Sequence, residues 1–153
     1  MLFQRINRSD PERVYIVVYN SWSTASLTNG QVVQWDFTTD ADGVGVTRPT
    51  ARATNRGLAT AGIVAETITS GEYGLIQVYG YHSALRVRAN TTADAIAPGT
   101  PLVANLAGSL FCLEGVSPHT GSGTLAQCFP CAFAYEAYTS WTTTTIKAFV
   151  KAL

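Results

Sequence analysis

The stretch GIVAETITSGEYGLIQVYG (62–80) decides the fold class. Its β-branched and aromatic residues are interrupted once, at Ser70-Gly71, a dipeptide that marks a turn, so it reads as two strands, Gly62–Thr67 and Tyr73–Tyr81. The same pattern returns in AFAYEAYTSWTTTTIKAFV (132–150), at an offset of 70 residues (62 against 132). Glu66 matches Glu136, Thr69 matches Thr139, Ser70 matches Ser140 and Ile76 matches Ile146. The facing agrees as well as the identities. Side chains alternate across a strand, so Ile76, Val78 and Gly80 share a face, as Ile146, Ala148 and Val150 do. Tyr79 and Phe149 fall on the opposite side, beside Gln77 and Lys147. Two strand–turn–strand units with one facing imply two related hairpins in one small barrel or sandwich. Glu66 and Glu136 then read as outward or turn-capping residues, not as a carboxylate pair for chemistry.

Outward from this stretch the chain is also strand-rich. Arg13–Tyr19 (RVYIVVY) is dense in β-branched and aromatic residues. Gln31–Phe37 (QVVQWDF) alternates, with Val33, Trp35 and Phe37 on one face and Gln34 and Asp36 on the other. The turn signal Asn29-Gly30 precedes it. Ala84–Ala89 is a further strand, with Leu85 and Val87 facing one way and Arg86 and Arg88 the other. Leu102–Asn105 and Leu110–Glu114 suggest a hairpin, Val116–Thr124 a flexible loop, and Cys128–Tyr138 and Thr143–Val150 the closing strands. Residues 38–57 are the least apolar stretch and read as a long loop. No long segment carries an apolar 3.6-residue period. The expected fold is mostly β: a small β-barrel or β-tulip-like domain over 13–153, with residues 1–12 as an extended N-terminal arm.

Composition bounds the function. The chain has 153 residues, of which 46% are hydrophobic and 13% charged, against a usual ~25% charged. Disorder needs the reverse balance. Ten cations, eight of them Arg, balance ten anions. A neutral chain without a basic stripe is a poor general binder of nucleic acid. The start has Arg5 and Arg8 followed by Asp10-Pro11-Glu12, not by an apolar run and cleavage site, so no secretory signal is expected. The longest strongly apolar run, Val14–Tyr19, is far short of the ~20 residues that span a bilayer. The chain reads as soluble and not exported.

Chemistry finds few footholds. Cys112, Cys128 and Cys131 are an odd set and cannot complete a disulfide framework within one chain. In Cys128-Phe129-Pro130-Cys131 the following residues alternate like a strand, so the helix N-terminus that activates a redox thiol is missing. With His119 the cysteines would make a tetrahedral zinc set, but structural sites usually use two close ligand pairs and only one exists here. Buried apolar thiols are the preferred reading. Around Asp36…Asp40-Ala41-Asp42-Gly43 a calcium loop would need a carboxylate where Pro49 stands. There is no nucleophile elbow, phosphate loop or dinucleotide fingerprint. No enzyme and no cofactor are expected. By elimination the loop cations Arg48, Arg52 and Arg56 are the best contact residues, because a guanidinium pairs carboxylates and stacks on aromatics. Tyr79, Tyr81 and Trp22 are candidate interface anchors.

Residues 57–153 resemble the head decoration, or capsid cement, proteins of tailed bacteriophages. The carrying features are the Gly- and Ala-rich strand Gly57–Glu66, the Ser-Gly-Glu turn at 70–72 and the strand Gly74-Leu75-Ile76-Gln77-Val78. The segment Ala95-Ile96-Ala97-Pro98-Gly99-Thr100-Pro101-Leu102 and a final strand pair over Cys131–Val150 complete it. The resemblance implies a non-enzymatic virion protein, made in the host cytoplasm, that sits on the capsid exterior. It implies the major capsid protein as partner, a homotrimer at local threefold positions, and a shell lattice stabilised by binding. Leu2, Phe3, Arg5 and Arg8 of the arm would join the loop arginines as contacts, the arm adding a strand to a neighbour. Two other readings stay open. One is a tail or vertex part of the virion. The other is a β-barrel module for carbohydrate or a small ligand, with Trp22, Trp35, Trp141 and the tyrosines as stacking platforms.

Overall fold

The computed structural model describes residues 12–40, 43–49, 60–89, 95–104, 113–115 and 130–152. Nine strands run in chain order: β1 (Arg13–Asn20), β2 (Val32–Trp35), β3 (Gly45–Thr47), β4 (Thr60–Val64), β5 (Tyr73–Val87), β6 (Pro101–Ala104), β7 (Leu113–Gly115), β8 (Ala132–Ala134) and β9 (Thr144–Lys151). No helix occurs among the described residues, so the mostly β expectation holds.

The strands close into two rings that share β5. In the first, β1 pairs β3 in parallel, β3 pairs β2, β2 pairs β4, β4 pairs β5, and β5 returns to β1 from Arg13↔Gly80 to Tyr19↔Tyr73. In the second, β5 pairs β7 in parallel, followed by β7–β6, β6–β8, β8–β9 and the antiparallel return of β9 to β5. At a rise of roughly 3.3 Å per residue, the 15-residue β5 is about 50 Å long and serves both.

Each ring has its own core. Val18, Val33, Val46, Ala61, Val64, Ile68, Ile76 and Val78 fill the first. Val32, Ile63, Leu85, Val87, Ile96, Leu102 and the inward residues of β8 and β9 fill the second. The paired strands β2 and β4 lie between them. Val32 and Ile63, directly opposite each other, face the second core, while their neighbours Val33 and Val64 face the first. Both faces of this two-stranded wall are therefore buried at Val32–Val33 and Ile63–Val64, where apolar residues follow one another without alternation.

The repeat extends beyond the two expected hairpins. Ile76, Val78, Gly80, Ile146, Ala148 and Val150 are all buried. The isolated bridge Leu27↔Ile68 recurs as Ile96↔Tyr138. The bond from Gly30 N–H to Val64 O recurs from Gly99 N–H to Ala134 O, and that from Val64 N–H to Gln31 O recurs from Ala134 N–H to Thr100 O. Val32↔Ile63 corresponds to Pro101↔Phe133. In each half a short parallel strand, β3 or β7, completes the ring.

Three expectations change. The strands placed at Tyr73–Tyr81 and Ala84–Ala89 are one strand, because His82 does not break it: its Nδ1 accepts the Ala84 N–H at 3.1 Å, across the register shift between His82 and Leu85. Nearby, the buried Gln77 donates to the carbonyls of Tyr79 and Tyr81 at 3.1 and 3.0 Å. These two buried polar side chains serve the backbone groups where β5 passes from one ring to the next, as buried polar groups must be paired. The segment expected as a long loop over 38–57 holds β3, which gains its order from β1 and β2 on either side. Phe37, expected on an apolar face, is 69% exposed, since β2 ends at Trp35 and Asp36 caps a turn through the Thr38 and Thr39 N–H groups. The expected hairpin of β6 and β7 is present, with Val103 opposite Glu114. Of the arm expected over 1–12 only Glu12 is among the described residues, and the loop over 116–124 lies outside them.

Candidate interaction surface

The outward side chains of β8, β9, β5 and β1 build a connected aromatic face. Residues directly opposite in a ladder share a face, so Phe133↔Phe149 and Phe149↔Tyr81 make a row across three strands. The rings of Tyr79 and Phe149 meet edge to face with centroids 5.0 Å apart. Tyr135 stacks on Tyr81 at 6.1 Å, and the Arg13 guanidinium lies 5.6 Å from the Tyr81 centroid. Val14 is opposite Tyr79 and continues the face onto β1. A β-bulge between Val14 and Tyr15 lets both side chains stand outward, which strict alternation forbids. Farther along β1, Val17 is 62% exposed, and Tyr73 beside it is 67% exposed. Tyr19 and Tyr73 close that end, 5.3 Å apart and tilted.

At the same end Tyr19 and Tyr73 also line a cavity of about 550 Å³, together with Ser21, Ser23, Ser70, Thr39 and Asp40. Much of its polar lining holds the fold. Ser21 Oγ is 2.7 Å from Asp36 Oδ2 and 3.0 Å from Val46 O, and Ser70 Oγ donates to Trp22 O at 2.8 Å. Burial pushes the Asp36 carboxyl up, but bonds from the Thr39 and Ser21 hydroxyls and the Thr38 and Thr39 N–H groups together hold it below its ordinary value.

Of the expected site residues, Arg48 is exposed, with its guanidinium 5.7 Å from the Trp22 centroid. Trp22 is half-buried and packs against the first core. Cys131 is 3% exposed, its Sγ 3.7 Å from Leu102 O. Burial pushes that thiol up to about 12, so it stays protonated, whereas the thiolate is the metal-binding and nucleophilic form. Cys112, Cys128 and His119 lie outside the described residues, as do Arg52, Arg56 and the arm residues Leu2, Phe3, Arg5 and Arg8. Of the candidate anchors Tyr79 and Tyr81, Tyr79 is 37% exposed and Tyr81 is half-buried. Val14 and Val17 are not singled out from sequence, and Tyr15, Tyr73 and Tyr135 enter only among the tyrosines offered as stacking platforms. For Val14, Tyr15 and Val17 the sequence shows only that RVYIVVY has no polar alternation, so whichever face lies outward is apolar.

The other perturbed groups have structural explanations. Glu136 accepts the Lys147 backbone N–H and its ammonium, both at 2.9 Å, which holds its carboxyl below the ordinary range. His82 is 6% exposed. Burial lowers its pKa from the ordinary 6.5, a hydrogen bond to the Val64 backbone opposes this, and the Arg13 charge lowers it further. The imidazole is thus neutral in the fold, and the unfolded chain binds the extra proton first as pH falls. Stability is therefore expected to drop as pH is lowered through about 6.5 toward the folded pKa. Urea midpoints at pH 7.5, 6.5 and 5.5 test this, with a smaller loss expected for His82→Gln. Equal losses in the two proteins would assign the effect to other groups.

No protein-family model matches the chain, and no curated protein matches it. Among solved structures it is similar to the N base of the head fiber protein gp8.5 of bacteriophage phi29, with a TM-score of 0.49 and 11% sequence identity, over 92% of this chain and 96% of that one.

Proposed function

We propose that this chain is a non-enzymatic virion structural protein that binds the outside of a phage capsid and stabilises the shell lattice. Its partner in this reading is the major capsid protein, and it acts as a homo-oligomer, a trimer. The aromatic face over β8, β9, β5 and β1 is the observation that carries the reading. Single exposed apolar residues are ordinary, whereas a contiguous exposed patch marks a contact surface. Tyrosine and arginine, which make up much of this face, are the residue types enriched in contact hot spots. A charge-poor body with such a face suits repeated docking on a regular lattice, where many modest contacts sum through multivalency. Arg48, Arg52 and Arg56 and the arm residues extend the proposed contact set.

A second reading, a carbohydrate or small-ligand module, rests on the cavity beside Tyr19 and Tyr73, whose lining combines aromatic faces with hydroxyls and a carboxylate. The tryptophans support it less. Trp22 and Trp35 pack against the first core, and Trp141 lies under the Arg88 guanidinium at 5.5 Å.

The deciding experiment is the copy number of this chain in purified particles from its source, relative to the most abundant shell protein. A ratio near one, or one per few shell subunits, is expected. A handful of copies would make it a tail or vertex part instead. Complete absence would end the virion reading and leave the ligand-binding one.

A further inference from the structure

The two rings are joined by a turn from one seated on a strand edge of the other. In the first ring the turn after Leu27 is closed by Gln31 N–H donating to Thr28 O at 3.2 Å. Gly30 at its tip has φ +79°, and its carbonyl accepts the Arg86 N–H at 2.9 Å. A Cβ on Gly30 would lie 2.1 Å from Ala84 O, so the two backbones pack directly against each other. The Arg86 guanidinium adds a bond to Thr28 Oγ1 at 3.3 Å. The edge covered in this way is that of β5 at Ala84–Arg86, on the side away from β9.

The repeat supplies both parts a second time. Leu85, Val87 and Ala89 point inward as Ile16, Val18 and Asn20 do. Leu85 is opposite Ile146 as Ile16 is opposite Ile76. The counterpart of Ala84–Arg86 is therefore Tyr15–Val17 on β1. Among the described residues nothing covers that edge: β3 meets β1 only at Tyr19 and Asn20, and Tyr15 and Val17 are 40% and 62% exposed. The counterpart of the Thr28–Gln31 turn is Ala97–Thr100. There Thr100 N–H donates to Ala97 O at 3.0 Å and Gly99 N–H to Ala134 O at 2.7 Å. Gly99 has φ +86°, yet a Cβ on it would meet nothing within 4 Å. Among the described residues, then, β1 carries an uncovered edge and the Ala97–Thr100 turn is unseated, the two parts of a joint the chain already makes internally.

We propose that a second copy of this chain completes that joint head to tail. The Ala97–Thr100 turn of one molecule seats on the Tyr15–Val17 edge of the next, and the Gly99 carbonyl accepts the Val17 N–H as the Gly30 carbonyl accepts that of Arg86. Backbone pairing to an open strand edge needs little from side chains, and Val17 in place of Arg86 makes this contact apolar. The contact is heterologous, so it generates a closed ring of copies where the rotation closes and a chain where it does not. The inference rests on the internal repeat and not on capsid binding.

Sedimentation velocity of the purified full chain over a concentration series tests it, with variants at each half of the joint. Val17→Lys places a charge on the exposed edge, a device that blocks edge pairing. Gly99→Asn keeps a residue type that tolerates positive φ but adds a side chain at the turn tip. If Gly99→Asn misfolds by circular dichroism, Pro98→Lys, at an exposed position, replaces it. The wild type is expected to gain mass with concentration, and each variant alone to stay at the 16.3 kDa of one chain. An equimolar mixture of the two variants retains one good edge and one good turn, so it is expected to form a 1:1 heterodimer and stop there. A wild type monomeric at every concentration would overturn the proposal, as when another part of the same chain already occupies the edge. Association untouched by both variants, or a mixture that stays monomeric while the wild type associates, would overturn it too. A monomeric chain still abundant in particles would remove the joint and leave the virion reading standing.

Discussion

Gly80→Ala is expected to cost the protein about 3 kcal/mol or more of stability. Gly80 sits in β5 with φ +101°, where β5 leaves the first ring and Glu12 crosses it. A Cβ there would lie 1.9 Å from Glu12 O, 2.9 Å from Glu12 C and 3.0 Å from Arg13 Cα. All three are backbone atoms, so no side-chain rotation relieves the clash. Either β1 moves off β5, breaking the Arg13↔Gly80 end of their ladder, or β5 changes its own path. Overpacking of this kind costs typically 1–3 kcal/mol, and holding an L-residue at positive φ adds roughly 1–2 kcal/mol. Against a usual total of about 5–15 kcal/mol, the sum is a large fraction. Urea denaturation followed by circular dichroism measures it. A loss under about 1 kcal/mol would mean that β1 yields at Glu12 at little expense, and that the start of β1 contributes little to ring closure.

Ile63→Ala is expected to lose about 2–5 kcal/mol, the usual range for emptying a buried isoleucine site. Ile63 is fully buried, and its position gives the loss a particular form. It belongs to β4 of the first ring, yet its side chain lies in the second core with Leu85, Val87 and Ile96. Its neighbour Val64 lies in the first. The cavity therefore opens on the far side of the shared wall. Hydrogen exchange is expected to show weaker protection at β9 amides as well as at β4 and β5, and unfolding is expected to remain a single transition. Lost protection confined to β4 would instead show that the rings open independently, and that the wall does not couple them.

Much of the β body is legible in local signals. Ser70-Gly71 is a turn, closed by Glu72 N–H donating to Thr69 O at 3.1 Å, and the facing of Ile76 against Tyr79 is as alternation requires. Glu66 and Glu136 read as outward or turn-capping residues, and Glu136 instead accepts the backbone N–H of Lys147 on β9. Other elements carry no local signal. β3 is three residues inside a polar stretch, and only its neighbours β1 and β2 make it a strand. Tyr73–Tyr81 and Ala84–Ala89 read as separate strands, and the gap between them at His82-Ser83 is bridged by a hydrogen bond within the fold. At the interaction surface, tyrosines at alternate positions could be picked out, but the outward turn of both Val14 and Tyr15 depends on a bulge opposite β5. A bulge is a property of two strands, and neither sequence shows it alone.

The sequence by itself determined the mostly β class, the two matched hairpins and the facing of Ile76, Val78 and Gly80 and of Ile146, Ala148 and Val150 within them. Those follow from the two-residue period and from turn chemistry, which act over a few neighbouring residues. The tertiary structure decided how the hairpins close into two rings on one shared strand. It also decided that Ile63 and Val64 serve different cores, and that the apolar side chains of Val14 and Val17 remain outside. Alternation separates the two faces of a strand without saying what covers either one. That cover comes from strands distant in the chain, such as β1 against β5 and β9 against β5, whose pairing is set by the packing of the whole.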